Sequence, residues 1–162
     1  WGSKASILVG DFLLTQTVNI MVDVANLEVM KMMAKSSHTI SCGEVKQLSN
    51  RHNVDLSEVE YFDVIDAKTA ILFAASSGVA AIISGASQTD IDAMYQLGMH
   101  IGRAFQLIDD VLDYDADATI TGKNIGDDLA DGKATLPLIY AYQCSNEHDK
   151  TSIKQYNLNN CF

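Results

Sequence analysis

The sequence predicts an all-α fold, a helix bundle. Three observations lead there. Apolar residues recur every three to four positions over long stretches, the period of a helix that buries one face. No stretch alternates polar and apolar residues, as a half-buried strand would. Proline occurs once and hydrophobic residues make up 48% of the 162 positions, a composition that permits long helices and one sizeable core.

The elements follow in order. Ser6 to about Lys35 keeps a helical apolar pattern through Leu8, Phe12, Leu13, Val18, Met21, Val22, Leu27, Met30 and Met33, and is expected as one helix. A second helix is expected from about Ile40 to Asn50, and Arg51 to Asp55 reads as a loop. Asp55-Leu56-Ser57-Glu58 has the form of a capping box and predicts helix through Tyr61 to Ala75. Thr69 to Thr89 carries no charge for 21 residues, a length that could span a bilayer. It is rich in Ser, Ala and Gly and poor in Leu. A buried, close-packed helix or helix pair, broken near Gly85, is the better reading. Ser87 to Asp90 caps the next helix, whose stripe runs through Ile91, Met94, Leu97, Ile101, Phe105, Ile108 and Leu112. Residues 115–132 form a polar, glycine-punctuated loop with short helical turns at most. Leu136 to Tyr142 begins another helix with Pro137 in its first turn. The tail from Ser145 is polar and weakly patterned. One domain over residues 1–162 accounts for all of this.

Charge excludes some functions. The net charge is −10, so a basic face for nucleic acid is not expected. Eight of the 21 acidic residues lie between Asp109 and Asp131, where Lys123 is the only base. Such density suits a cation site. Cys42, Cys144 and Cys161 are far apart and odd in number; a disulfide framework is not expected, and a reducing cytoplasmic setting fits best. The chain begins at Trp1, without a Met and close to a predicted helix, and reads as a piece of a longer protein.

The chemistry concentrates at Asp109-Asp110-Val111-Leu112-Asp113. Spacings of three and four allow these carboxylates to share a helix face. They repel one another unless something positive sits among them. Mg²⁺, usually held by one or two carboxylates plus water and phosphate oxygens, is the natural guest; a solvated acidic helix end is the bland alternative. Gln106 lies one turn earlier and could bond a metal-bound water, a carboxylate or a substrate oxygen. The following loop holds Gly122, Lys123, Asn124, Gly126, Asp127, Asp128, Asp131, Gly132 and Lys133. Its two lysines either neutralise carboxylates or reach a phosphate, and its glycines permit sharp turns. The opening Asp113-Tyr-Asp115-Ala-Asp117 imitates a calcium hand, but Ala118 and Asn124 stand where Gly and Glu are required. Lys68 and Thr69 interrupt an apolar helix, seven and eight residues after Tyr61. A half-buried lysine needs an anion, either a carboxylate or a diphosphate, unless it reaches out to solvent. Glu44 and Gln47 pair polar groups one turn apart, which surface exposure explains equally well. The four histidines are isolated, and no nucleophile system is evident.

Together these segments resemble the trans-polyprenyl diphosphate synthases. Leu8-Val9-Gly10-Asp11-Phe12, Gly43-Glu44-x-x-Gln47, Tyr61-x₆-Lys68-Thr69-x₃-Phe73 and Phe105-Gln106-x-x-Asp109-Asp110-x-x-Asp113 match family segments in order. So do Gly122-Lys123-Asn124-x-Gly126-Asp127-Asp128 and Gly132-Lys133-x-Thr135-Leu136-Pro137. The wording of the last two looks more like synthases of long chains, such as quinone side chains. The match covers Trp1 to about Tyr142, and the tail does not match clearly.

The resemblance implies an all-α isoprenoid-synthase bundle with a central apolar cavity, in which isopentenyl diphosphate attacks an allylic prenyl diphosphate after Mg²⁺-assisted ionisation. Asp109, Asp110 and Asp113 would hold Mg²⁺ as the second of two aspartate-rich motifs. Lys68 and Lys123 would grip the allylic diphosphate, with Lys133 and Gln106 beside it, Thr69 beside the reaction centre and Phe105 near isopentenyl diphosphate. A homodimer and association with a membrane surface for product release are further expectations. The family's first aspartate-rich motif and its last helices have no counterpart here, so the chain is expected to be inactive alone. A regulatory subunit of a heteromeric prenyl synthase, a terpene cyclase and a plain acidic cation-binding module are the alternatives.

Overall fold

The computed structural model describes residues 2–115 and 126–159, with side chains through residue 155. Every regular element among them is helical: α1 (Gly2–Val24), α2 (Leu27–Ser49), α3 (Glu58–Ile65), a π-helical turn (Asp66–Ala70), α4 (Ile71–Ile83), α5 (Gln88–Asp115), α6 (Asp127–Ala130), α7 (Leu136–Cys144) and α8 (Glu147–Asn159).

The expected first helix is two helices. Ala25 takes a left-handed conformation at φ 50°, and the Asn26 side chain accepts from the backbone N–H groups of Glu28 and Val29. That cap starts α2. No break occurs near Lys35. The hydroxyls there bond back along the helix, Ser36 to the Met32 carbonyl and Ser41 to the Ser37 carbonyl, so they do not compete with it. The capping box of α3 falls two residues later than expected. Ser57 and Glu60 close it reciprocally, and Asp55 instead pairs with Lys154 on α8 at 3.0 Å. The Ser87–Asp90 cap and Pro137 at the start of α7 stand as predicted.

α4 and α5 form the closest helix pair. A Cβ on Gly98 would lie 2.5 Å from the Phe73 carbonyl oxygen, and one on Gly102 would lie 2.5 Å from Ala70 Cα. Ala70, Ala74 and Ala75 are fully buried across this seam. The uncharged stretch is thus a core helix ending at Ile83, with Gly85 at φ 71° turning the chain into α5. A second core joins Leu56, Tyr61 and Ile65 to Ala134 and Ile139. It fastens α3 and α7 beneath the acidic end of α5.

The polar tail is more ordered than its sequence suggests. Asn146 accepts from the Asp149 N–H at 3.0 Å and starts α8. Lys150 and Lys154 then stack over the Tyr142 ring. α1 is the opposite case. It is strongly apolar yet has no buried residue, with Leu8, Phe12, Leu13, Leu14 and Ile20 all well exposed. By length and composition α1, like the run Glu58–Ile83, could cross a membrane.

Candidate functional site

The site assembles around the Lys68–Thr69 segment and the C-terminal half of α5. The π-turn decides how. Ile71 N–H reaches back five residues to the Asp66 carbonyl, so one extra residue is inserted and the following side chains are re-aimed. Tyr61 and Lys68, whose spacing of seven would put them on one face of a regular helix, therefore diverge. The Tyr61 hydroxyl donates to Asp110 on α5 at 2.6 Å. Lys68 Nζ turns to α2, where it meets Gln47 Oε1 at 2.8 Å and Glu44 Oε1 at 3.2 Å. Of the two anions that Lys68 could take, the structure supplies the carboxylate. The contact depends on close approach: a Cβ on Gly43 would stand 2.9 Å from Ala67 Cβ. Asp66 anchors the same turn to α5 through a forked pair with Arg103, both bonds at 2.6 Å.

Gln106 is a hub rather than a free ligand. Its Oε1 accepts from the Thr69 hydroxyl at 2.7 Å, and its amide donates to Asp110 at 2.9 Å and to Asp109 at 3.4 Å. Asp110 is 0% exposed. Besides Tyr61 and Gln106 it receives the Lys133 ammonium at 2.9 Å, which also bonds Asp128 at 3.0 Å. Burial pulls the Lys133 pKa down, but attraction and hydrogen bonds to Asp110 and Asp128 outweigh it and the net shift is upward. Burial, then the bond to Asp110, pushes the Tyr61 hydroxyl well above its ordinary range.

Asp113 is also buried and accepts from the Asp128 N–H at 3.3 Å. Burial first, then the neighbouring Asp128 charge, raises its pKa. Gly126, at φ 83°, and Gly132, at φ 70°, make the turns that bring α6 and Lys133 back to α5.

The single three-carboxylate face expected of Asp109, Asp110 and Asp113 is not formed. Asp110 points into the core and is spent on internal donors, because one turn of α5 cannot aim three neighbouring side chains the same way. Among the described residues, no three Asp, Glu, His or Cys side chains are grouped so as to hold a metal ion by themselves. A hard cation is commonly held by one or two carboxylates and completed by phosphate oxygens. Asp109, which accepts from Gln106 at 3.4 Å, stands at the rim of an apolar groove of about 470 Å³ along Ile101, Ala104, Phe105, Ile108 and Leu112. The apolar lining expected of a central cavity is this open groove, and the Phe105 ring packs on Phe73 at 5.4 Å.

A second, polar cavity of about 320 Å³ lies between α2 and the 128–133 segment. Lys68, Lys133 and Arg51 line it, faced by Glu44, Asp128 and Asp131. Lys123, with Gly122, Asn124 and the Asp117 end of the false calcium hand, lies outside the described residues. The sequence reading missed Tyr61 as the partner of Asp110 and Asp128 as the second partner of Lys133. A tyrosine at helical spacing on an apolar face gave no sign that its hydroxyl would reach a buried acid.

The fold and site together define a helical bundle with Asp109 at the rim of an apolar groove and a separate polar cavity lined by Lys68, Lys133, Glu44 and Asp128. The chain belongs to the polyprenyl synthetase family, whose model matches residues 1–160. The tail after Tyr142, which showed no clear resemblance, lies within that match. The octaprenyl diphosphate synthase of Haemophilus influenzae is 41% identical over 155 residues, 96% of this chain and 47% of its own length. Among solved structures, a decaprenyl diphosphate synthase from Rhodobacter capsulatus is similar at TM-score 0.87 and 39% identity, over 96% of this chain and 48% of that one. A polyprenyl synthase from Caulobacter crescentus, complexed with calcium and isoprenyl diphosphate, is similar at TM-score 0.84 and 36% identity, over 99% of this chain and 54% of that one. The chain spans about half the length of the curated relatives it matches.

Proposed function

We propose that the chain provides the allylic-diphosphate half of a long-chain trans-polyprenyl diphosphate synthase. The observation that carries this reading is Asp109, which stands at the rim of an apolar groove and is linked through Gln106 and Asp110 to the Lys133 ammonium. A tail would lie along Ile101, Phe105, Ile108 and Leu112. Its diphosphate would sit toward Lys68 and Lys133, with Lys123 as a third cation.

Mg²⁺, held by Asp109 with Asp113, would act when bound as a Lewis acid on the leaving diphosphate. The chain's own residues do the rest. Lys68 and Lys133 hold fixed positive charge where negative charge develops. Gln106, held by the Thr69 hydroxyl at 2.7 Å, fixes the Asp110 rotamer at 2.9 Å and reaches Asp109 at 3.4 Å. The apolar wall around Phe105 keeps water from the electron-poor carbon that ionisation leaves. Isopentenyl diphosphate is the second substrate. The chain alone is inactive in this reading, because nothing in it supplies a second aspartate-rich motif. The exposed apolar sides of α1 suit a second copy of the chain in a homodimer, with a membrane surface receiving the product. A cytoplasmic location fits the exposed thiols of Cys42 and Cys144.

Calorimetric titration with farnesyl diphosphate tests this. Binding should require Mg²⁺ and weaken in Asp109→Ala. Mg²⁺ uptake that ignores diphosphate would favour the plain acidic cation module. A folded sample that binds nothing would refute the reading.

A further inference from the structure

The turn at residues 50–53, whose Arg51 lines the polar cavity, also holds the backbone that carries Lys133. The His52 N–H donates to the Gly132 carbonyl at 2.8 Å. Arg51 Nε donates to the Asp131 carbonyl at 3.1 Å, and its guanidinium lies 3.9 Å from the Asp131 carboxylate. The His52 ring covers Gly132 so closely that a Cβ there would fall 2.3 Å from ring atoms. Two successive carbonyls are thus caught by two successive residues some 80 positions earlier. The next residue is Lys133.

A lysine ammonium rides on a flexible four-carbon stem. Its place is fixed only when its Cα is fixed and its partners are preset. The partners are Asp110 and Asp128. The Cα belongs to the irregular segment 131–135 between α6 and α7, where the N–H groups of Asp131, Gly132 and Lys133 return to the carbonyls of Asp127, Leu129 and Asp128. The α2–α3 turn anchors it from outside through Arg51 and His52, as α5 does through the bond between Tyr114 and Thr135.

We propose that Arg51 and His52 are positioning residues that fix Lys133 in the headgroup cavity. The functional consequence rests on the diphosphate reading given above. A direct role of Arg51 as another phosphate cation is the competing account, since Arg51 lines the same cavity. His52 does not line it, so His52→Ala separates the two.

Reductive methylation of the whole chain, read lysine by lysine by mass spectrometry, reports Lys133 without any ligand. Arg51→Ala, which removes the bond to the Asp131 carbonyl, and His52→Ala, which keeps the backbone N–H but removes the ring that covers Gly132, should each raise the Lys133 rate about fivefold relative to Lys4, with helix content unchanged. Arg51→Gln replaces Arg51→Ala if the helix signal falls. Farnesyl diphosphate binding with Mg²⁺ should weaken about tenfold in both variants. An unchanged Lys133 rate in both folded variants overturns the proposal. So does a faster rate with wild-type affinity. A faster rate in variants of a chain that binds no farnesyl diphosphate upholds the clamp and refutes the diphosphate reading instead. An effect of Arg51→Ala alone, absent in His52→Ala, assigns Arg51 directly to the phosphate and overturns positioning.

Discussion

Lys133→Ala is the perturbation on which the structure speaks most clearly. The substitution leaves Asp110, 0% exposed, without its ammonium partner at 2.9 Å. Removing one member of a buried pair costs roughly 3–5 kcal/mol. Tyr61 and Gln106 continue to donate to Asp110, so the lower end, about 3 kcal/mol, is the figure to expect. For a chain of this size that lowers the melting midpoint by about 6–12 °C. Adding Asp110→Asn removes the stranded charge while keeping an acceptor for Tyr61, and should recover about 1–2 kcal/mol. Thermal and urea melts followed by circular dichroism at neutral pH, on wild type, both single variants and the double, close the cycle. The pH dependence has a definite sign. Lys133 is raised above its ordinary 10.5, so its contribution is complete below that value and is lost as pH rises through the folded one. The alkaline fall should be shallower in Lys133→Ala. A single variant within about 0.5 kcal/mol of wild type, or a double variant less stable than Lys133→Ala, would refute the reasoning.

Two further outcomes follow from the same structure. Asp113 is raised above its ordinary 3.8 by burial and by Asp128, so the fold favours its neutral form. That contribution is full below 3.8 and is lost as pH rises through the folded value. Asp113→Asn, melted without divalent ions, should therefore be more stable than wild type at neutral pH, with the gain vanishing near about pH 3. Gly98→Ala places a methyl 2.5–2.6 Å from the α4 backbone and should cost at least about 1–3 kcal/mol in a urea melt, because backbone cannot step aside as a side chain can.

Much of this was legible in the sequence, for reasons that differ by element. The α5 stripe from Ile91 to Leu112 and the break at Gly85 follow directly from periodicity and turn chemistry. The junction of α1 and α2 was not legible: methionine, valine and leucine continue across it, and only Asn26 hints that a cap interrupts them. The π-turn is invisible to any pattern of period 3.6, and it alone separates Tyr61 from Lys68. The acidic motif gave the right residue types but not their division of labour. Which of Asp109, Asp110 and Asp113 faces inward depends on where Lys133 and Tyr61 arrive, and those contacts span 23 and 49 residues. Glu44 and Gln47, read as ordinary surface polarity, became partners of Lys68 because Gly43 lets two helices meet.

The central claim is that a metal–diphosphate headgroup sits at Asp109, with the tail in the α5 groove. Methyl NMR with Mn²⁺ in place of Mg²⁺ tests it most directly, since a paramagnetic ion broadens only nearby signals. Ile108 and Leu112 share the groove with Asp109, whereas Ile82 and Ile91 line a separate cavity with Lys31 and Tyr95. The account predicts that Mn²⁺ broadens Ile108 and Leu112 selectively, and only once farnesyl diphosphate is present. Broadening centred elsewhere, or the same at Ile108 with and without the diphosphate, would contradict it.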